Sequence, residues 1–196
     1  MLKRICVYCG SSMGADPAYA RAARDLGALL ARKKIGLVFG GGNNGLMGEV
    51  SRAAIESGGE TIGVITDFFD ERGLSQTGLT KLFVVPTMHE RKAKMVSLAD
   101  AFIALPGSIG TLEEFAETIT WAQLGIHEKP CGLLNVNGYY DRLIEFLDQM
   151  VEEKFIVPGH RKIAIVDDNA ESLIDKFKKF RYHAVDKITG IAKNII

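Results

Sequence analysis

The sequence lacks an excess of either charge and lacks any long apolar run. Among its 196 residues, 24 Lys and Arg balance 24 Asp and Glu. Binding to nucleic acid or to an anionic membrane depends on an excess of basic residues, so this balance argues against both partners. No apolar run approaches the roughly 20 residues of a membrane span, and the first four residues lead straight into a short strand, not into a signal-peptide core. We therefore predict a cytoplasmic protein.

Cysteine and histidine are also scarce. Three cysteines, an odd number, predict free thiols without a disulfide framework. Cys6 and Cys9 form a C-x-x-C, but Cys6 lies inside an apolar run and a Gly-Ser-Ser loop follows Cys9, whereas a thioredoxin-like pair opens a helix. The histidines are scattered without zinc-ligand spacing at His89, His127, His160 and His183. The pattern predicts no redox centre, no metal ion and no cofactor.

Short apolar runs alternate with helical periodicities along the chain. We predict strands at residues 5–8, 35–39, 60–65, 82–85, 101–105, 131–135 and 163–166. Predicted helices begin at Asp16-Pro17, at residue 46, after Thr87, at Thr111, at residue 139 and at residue 169. Because the long crossovers make successive strands parallel, the pattern predicts a single α/β domain over residues 1–196. Its fold class is doubly wound and Rossmann-like, a mainly parallel sheet of about seven strands with helices on both faces. The last sixteen residues fit no clear element.

A glycine-rich loop follows the second predicted strand. Residues 40–45 hold four glycines in six positions, so backbone could approach a ligand closely. The loop is neither a dinucleotide fingerprint, which follows the first strand, nor a Walker A loop, because no Lys-Ser or Lys-Thr follows it. A tight strand-to-helix turn is the alternative. The carboxyl ends of parallel strands meet at one edge, so this loop and those after strands one, four and five should face one crevice, with residues 66–80 as a lid or substrate-side insertion.

The stretch of residues 101–123 is the predicted active centre. Pro106-Gly107 breaks the fifth strand, and helical spacing then places Thr111 at the N-cap. A glycine-bordered turn that feeds a helix N-terminus suits a phosphate. Glu114 follows three residues later, which is also the spacing of a capping box worth about 1 kcal/mol. Its position one turn beyond a phosphate loop favours acid–base chemistry over the cap alone.

Two basic residues follow the fourth strand. Thr87 and Glu90 have capping-box spacing, which places Arg91 and Lys92 on an exposed first turn beside the crevice. Solvation is the alternative to anion binding for both side chains. If Arg91 is exposed, its truncation should change the stability of the fold by no more than about 0.5 kcal/mol.

Three motifs together carry a family resemblance. They are Gly40-Gly41-Gly42-x-x-Gly45-Leu46-Met47-Gly48, Met88-His89-Glu90-Arg91-Lys92 and Pro106-Gly107-Ser108-Ile109-Gly110-Thr111-Leu112-Glu113-Glu114. With Val7-Tyr8-Cys9-Gly10-Ser11-Ser12 they resemble the LOG (lonely guy) family, over about residues 5–153. Members of that family, often labelled lysine decarboxylases, are phosphoribohydrolases that release the base from cytokinin riboside 5′-monophosphates, and related members act on AMP.

The resemblance implies roles for individual residues. It implies Glu114 and Arg91 as catalytic residues of a nucleotide-binding domain. The implied substrate-binding residues are Gly40, Gly41, Gly42, Gly45, Met88, Lys92, Gly107, Ser108, Ile109, Gly110 and Thr111. Ser108 departs from the family's P-G-G-x-G-T-x-x-E pattern, which has glycine there, and a positive φ would cost serine about 1 kcal/mol. The resemblance also implies a homodimer or a higher homo-oligomer.

Two other functions are compatible with the sequence. Non-catalytic carriers of nucleotides or of molybdenum cofactor share folds of this type, and the presence of both Arg91 and Glu114 favours an enzyme. A pyridoxal-phosphate decarboxylase needs a Schiff-base lysine in the site, and nothing in the sequence marks Lys92 or Lys94 as one.

Overall fold

The computed structural model describes residues 2–182; Met1 and residues 183–196, among them His183, lie outside the described part. The strands are β1 Arg4–Tyr8, β2 Gly36–Phe39, β3 Thr61–Thr66, β4 Lys81–Val85, β5 Ala101–Ala104, β6 Cys131–Leu134 and β7 Ala164–Asp167. The α-helices are α1 Pro17–Arg32, α2 Gly45–Glu56, α3 Asp67–Asp70, α4 Met88–Leu98, α5 Ile109–Gln123, α6 Asp141–Glu152, α7 Pro158–Arg161 and α8 Ala170–Lys179. A 3-10 turn, Val136–Gly138, precedes α6. None of the helices in this part is long and apolar enough to cross a membrane.

The seven strands form one parallel sheet in the order β4-β3-β2-β1-β5-β6-β7. The predicted doubly wound α/β class is therefore confirmed. Strands β2, β3, β5 and β6 are buried at every position, as expected for a sheet covered on both faces. The order of the strands reverses between β1 and β5, and ligands of such sheets bind at the carboxyl end of this switch point.

Alternation along β1 divides the core into two layers. Ile5 and Val7 pack with residues of α1 and α2 such as Leu26 and Val50. Cys6 and Tyr8 point to the other face and pack in the layer that contains Met95 of α4 and Phe115 of α5. Since successive strand residues face opposite sides, α4 and α5 lie together on one face, with their N-termini at the carboxyl edge.

Local capping signals were largely correct. Asp16 accepts a hydrogen bond from the N–H of Ala18 at 2.8 Å, and Asn169 accepts one from Ser172 at 3.0 Å. The Thr87 hydroxyl accepts from the N–H of Glu90 at 3.1 Å, as its spacing predicts. These caps need only neighbours in sequence, so sequence alone can identify them.

The predicted start of α5 was wrong. The helix begins at Ile109 with Ser108 as the N-cap residue, and Thr111 lies buried inside the first turn. The predicted capping box between Thr111 and Glu114 therefore does not form. The helix starts as soon as the Pro106-Gly107 break ends, and its first N–H groups are left without a side-chain cap.

Candidate active site

A cavity of about 440 Å³ opens at the carboxyl edge of the sheet. Loops after β1, β2 and β3 and the first turns of α4 and α5 supply its wall. The lining residues are Cys9, Ser11, Gly40, Gly42, Asn43, Asn44, Met47, Ile65, Phe69, Leu74, Met88, Arg91, Ser108, Gly110, Thr111, Glu113 and Glu114. The structure thus brings most of the sequence-predicted residues into one place, although the motifs are far apart in the chain.

Arg91 is buried, which corrects the exposed position predicted for it. Only 7% of the residue is accessible, because the first turn of α4 faces the ends of β2 and β3. Its three guanidinium nitrogens bind three different acceptors. Nε donates to the carbonyl of Val64 at 2.9 Å, Nη2 to the carbonyl of Gly40 at 2.9 Å and Nη1 to Oε1 of Glu114 at 3.1 Å. A planar fork suits this task, whereas a single ammonium does not.

Glu114 is the buried carboxylate of the cavity. It is 9% exposed, and its side chain pairs with Arg91. Burial raises the pKa of Glu114 to about 6, although the charge of Arg91 acts to lower it. A carboxylate with a pKa near neutrality, held in place by a fixed guanidinium, is suited to exchange a proton or to face a developing positive charge.

Lys92 lies beside this pair but faces another way. Its ammonium is bonded to Glu113, and it lies 3.2 Å from Oε1 of Glu117. Burial acts to lower the pKa of Lys92, but the two carboxylates outweigh it, and the net shift is upward. Lys92 was predicted to contact the substrate; the structure instead places it between α4 and α5, outside the cavity lining.

The glycines after β2 make room for other parts of the protein as well as for a ligand. A Cβ atom on Gly40 would lie 2.0 Å from Nη2 of Arg91, so glycine is required for the guanidinium to reach its place. Gly45 has φ +55°, and a Cβ there would lie 2.3 Å from the backbone carbon of Ser11. Gly40 and Gly42 line the cavity, whereas Gly41 and Gly45 shape the loop behind it.

The turn before α5 presents free backbone donors. The first intrahelical bond is made by Leu112, which donates to the carbonyl of Ser108 at 3.1 Å, so the N–H groups of Ile109, Gly110 and Thr111 have no partner inside the helix. These donors lie at the positive end of α5, where an anion is favoured. Ser108 and Gly110 line the cavity here, whereas the Ile109 side chain is 78% exposed.

Ser108 adopts the turn without strain. Its φ is −96° and its ψ is −163°, which is extended backbone open to any residue. The cost considered for a positive φ therefore does not arise. The hydroxyl makes no capping bond within the helix, so it is available to a ligand.

Sequence reasoning missed the apolar wall. Met47, Ile65, Phe69 and Leu74 line the cavity beside the predicted polar groups. Phe69 and Leu74 belong to the segment predicted as a lid, which hydrogen bonds hold against the glycine loop, including Asn43 N–H to the Leu74 carbonyl at 2.9 Å. Met47 lies inside the first family motif but was not singled out, and no motif includes Ile65, Phe69 or Leu74, because each is an ordinary apolar side chain whose neighbours are set by the fold.

Asn43 is a further residue that the motifs did not single out. Its amide nitrogen donates to the carbonyls of Gly73 and Ser75, while its Oδ1 is buried and accepts no hydrogen bond from residues 2–182, the part that the structure describes. A buried acceptor of this kind at a cavity wall is a natural partner for a donor on a ligand.

Comparison with known proteins gives relatives across nearly the whole chain. A family model described as "Possible lysine decarboxylase" matches residues 47–177. The cytokinin riboside 5′-monophosphate phosphoribohydrolase LOG7 of Arabidopsis thaliana is 50% identical, with 96% of this chain and 86% of the relative covered. LOG3 of the same plant is 50% identical over 91% of this chain and 83% of its own. The probable cytokinin riboside 5′-monophosphate phosphoribohydrolase LOGL3 of Oryza sativa subsp. japonica is 50% identical, with 92% of this chain and 86% of the relative covered.

Solved structures share the fold at lower identity. The molybdenum cofactor binding protein of Rippkaea orientalis superposes with a TM-score of 0.69 at 24% identity, covering 91% of this chain and 97% of the other. The molybdenum cofactor carrier protein of Chlamydomonas reinhardtii gives 0.68 at 19% identity, covering 91% and 98%. Similarity at this level of identity establishes the architecture and nothing about ligands.

Proposed function

Since this chain belongs to the LOG family, we propose that it hydrolyses the N-glycosidic bond of nucleoside 5′-monophosphates, giving the free base and ribose 5-phosphate. Relatives at about 50% identity over more than nine tenths of the chain are named cytokinin riboside 5′-monophosphate phosphoribohydrolases. The observation in the structure that best supports the reaction is the buried Arg91–Glu114 pair, which lies in one cavity with the free N–H groups of α5. The substrates we propose are a cytokinin riboside 5′-monophosphate, AMP or both.

Glu114 would act on the sugar. Hydrolysis of a glycosidic bond passes through a transition state in which the anomeric carbon carries positive charge. The Glu114 carboxylate would stabilise that charge or accept a proton from the attacking water. Water adds to the anomeric carbon as the carbon–nitrogen bond breaks, and the leaving base gains a proton. Arg91 would hold the carboxylate in place and keep it ionised.

The phosphate would be held by the start of α5. The N–H groups of Gly110 and Thr111, the Ser108 hydroxyl and the positive end of the helix all suit an anion. Binding energy at the phosphate would place the anomeric carbon beside Glu114, so contacts remote from the bond contribute to catalysis. The apolar wall with Phe69 and Leu74 would contact the base, and Oδ1 of Asn43 is available to accept a hydrogen bond from it.

A lysine decarboxylase, as the description of the family model suggests, fits this site poorly. The cavity lining contains no lysine among the residues that the structure describes. Lys92 is engaged by two carboxylates, which raise its pKa, whereas a Schiff-base lysine needs a lowered one. A cofactor carrier is supported only by similarity of fold, and it gives no reason for a buried carboxylate with a raised pKa.

We also propose that the chain forms a homodimer or a higher homo-oligomer, as the family resemblance implies. Helix α6 has no fully buried residue, and its Phe146 side chain is 52% exposed. Leu124 and Ile126, which follow α5, are 54% and 63% exposed. Apolar side chains of this kind support a contact between copies of the chain.

The proposed function predicts a strong preference for nucleotides over nucleosides. We expect AMP, or its N6-isopentenyl counterpart, to release free base while adenosine is turned over more slowly by about 10²-fold or more, because the positioning contacts to the phosphate are lost. Chromatographic detection of the free base gives both rates, and comparison of the two nucleotides reports the preferred base. Equal turnover of AMP and adenosine would contradict the phosphate site, and nucleotide binding without base release would favour a carrier.

The raised pKa of Glu114 predicts a pH-dependent rate. The carboxylate fraction grows as the pH rises through about 6, so kcat should increase across pH 5 to 7 and then level off. The phosphate of the substrate also titrates near this pH, so activity alone does not isolate Glu114.

Thermal and denaturant unfolding without substrate measures the effect of the Glu114 carboxyl group alone, because no substrate phosphate is present to titrate. The folded-state pKa lies above the ordinary value of 4.5, so folding favours the protonated form. This contribution to stability is present below pH 4.5 and is lost as the pH rises through 6. We expect wild type to lose about 2 kcal/mol relative to Glu114→Gln over that window. A constant stability difference between the two proteins from pH 4.5 to 7 would contradict the assignment.

A further inference from the structure

The turn between β5 and α5 is held by three consecutive carbonyl groups. The carbonyl of Leu105 accepts a hydrogen bond from the Tyr140 hydroxyl at 2.6 Å, and that of Pro106 accepts one from the N–H of Gly10 at 3.1 Å. The carbonyl of Gly107 accepts a hydrogen bond from the Tyr139 hydroxyl. Each of these three carbonyls therefore has a donor from outside the turn.

Fixing a carbonyl also fixes the next N–H group. A trans peptide is planar, and its C=O and N–H point in opposite directions. None of the peptides in the described part of the chain is cis. The bond from Tyr139 to the Gly107 carbonyl therefore sets the direction of the Ser108 N–H, which is turned away from the tyrosine. Ser108 lies at the wall of the cavity, immediately before the free donors of α5.

We propose that Tyr139 is a positioning residue for phosphate binding: its hydroxyl holds the Gly107–Ser108 peptide so that the Ser108 N–H joins the first N–H groups of α5 in binding the 5′-phosphate. The proposal rests on the function proposed above. None of the three family motifs includes Tyr139. This residue follows β6 and is brought next to the turn by the folding of the chain.

The tyrosine ring is already held in place. It makes edge contacts with Tyr19, with centroids 5.5 Å apart, and with Tyr140, with centroids 5.0 Å apart. The backbone N–H of Tyr140 is bound by Oδ1 of Asn135 at 2.7 Å, which fixes the loop that carries both tyrosines. Since the ring contacts do not involve the hydroxyl, phenylalanine should keep them and remove only the bond to Gly107.

Exposure separates a positioning role from a structural one. Tyr139 is 42% exposed and Gly107 is partly exposed, so water can reach the carbonyl that loses its partner. The fold should then tolerate the loss of this bond. Tyr140 is 2% exposed, and loss of its hydroxyl would leave the buried Leu105 carbonyl without this donor.

The test compares Tyr139→Phe with Tyr19→Phe, a variant that alters the neighbouring ring in the same cleft. For Tyr139→Phe we expect KM for AMP to rise about 5- to 10-fold, the usual effect of one lost hydrogen bond, with kcat changed less than twofold and an unchanged melting midpoint. Titration calorimetry with inorganic phosphate should show the same loss of affinity. Tyr19→Phe should leave both quantities unchanged.

Three results would overturn the proposal. They are an unchanged KM and phosphate affinity in Tyr139→Phe, an equal rise in KM in Tyr19→Phe, and a loss of phosphate affinity in Tyr139→Phe that is matched by a lower melting midpoint. Tyr140→Phe supplies the signature of a purely structural hydroxyl, with lower melting and little change in phosphate affinity. If wild type releases no base from any nucleotide, the proposed reaction fails, but the phosphate titration still decides the role of Tyr139.

Discussion

At pH 7, Glu114→Gln is expected to slow base release by about 10²- to 10⁴-fold while the protein melts near the wild-type midpoint at that pH. The glutamine oxygen can still accept the hydrogen bond from Nη1 of Arg91, which lies 3.1 Å from the carboxylate oxygen. What is lost is the negative charge and the ability to accept a proton, and loss of a general acid–base group costs a rate factor of this size. Burial of a neutral amide in place of a carboxylate whose pKa is raised to about 6 should offset the weaker pairing.

The measurement combines single-turnover hydrolysis of AMP or a cytokinin nucleotide with thermal melting. Glu117→Gln is a matched control, because Glu117 lies one turn further along α5, pairs with Lys92 and lies outside the cavity lining. It should hydrolyse the nucleotide at a rate close to wild type. If Glu114→Gln also works within a factor of a few of wild type, Glu114 is not the carboxylate that the reaction uses.

The fold could be predicted because its signals are local. Short apolar runs, helical spacing and the caps at Asp16, Thr87 and Asn169 depend on residues close in sequence, and all three caps form. The parallel sheet then follows from the length of the crossovers. The same local reasoning failed at α5, where Thr111 and Glu114 have the spacing of a capping box but the helix begins earlier.

The site was only partly predictable because its key contacts are long-range. Arg91 was placed on an exposed turn, since helical spacing says nothing about the carbonyls of Gly40 and Val64 that its guanidinium reaches. Gly40 was assigned to the ligand, although its missing side chain makes room for Arg91. Lys92 was grouped with Arg91 because the two residues are adjacent. Successive helix positions point about 100° apart, however, so the ammonium of Lys92 and the guanidinium of Arg91 have different partners.

The buried position of Arg91 changes what its removal should do. Arg91→Ala would leave the Gly40 and Val64 carbonyls and the Glu114 carboxylate without their donor, and removal of one member of a buried pair costs about 3–5 kcal/mol. We therefore expect a clear loss of stability, in contrast to the roughly 0.5 kcal/mol expected for an exposed residue. Turnover should fall by about 10²- to 10³-fold, the effect of losing one fixed electrostatic contact in an active site.

A double variant separates the loss of stability from the loss of turnover, because an unstable Arg91→Ala protein could be inactive for lack of folding alone. In Arg91→Ala with Glu114→Gln, no unpaired carboxylate is buried, so denaturant unfolding should recover part of the stability that Arg91→Ala loses, while turnover stays low. Arg91→Lys keeps the charge but has one nitrogen to donate to three acceptors. It should therefore retain more activity than Arg91→Ala but less than wild type. Wild-type turnover in folded Arg91→Lys would mean that charge alone suffices. Additive stability losses in the double variant would mean that the Arg91–Glu114 pair contributes no coupling to the fold.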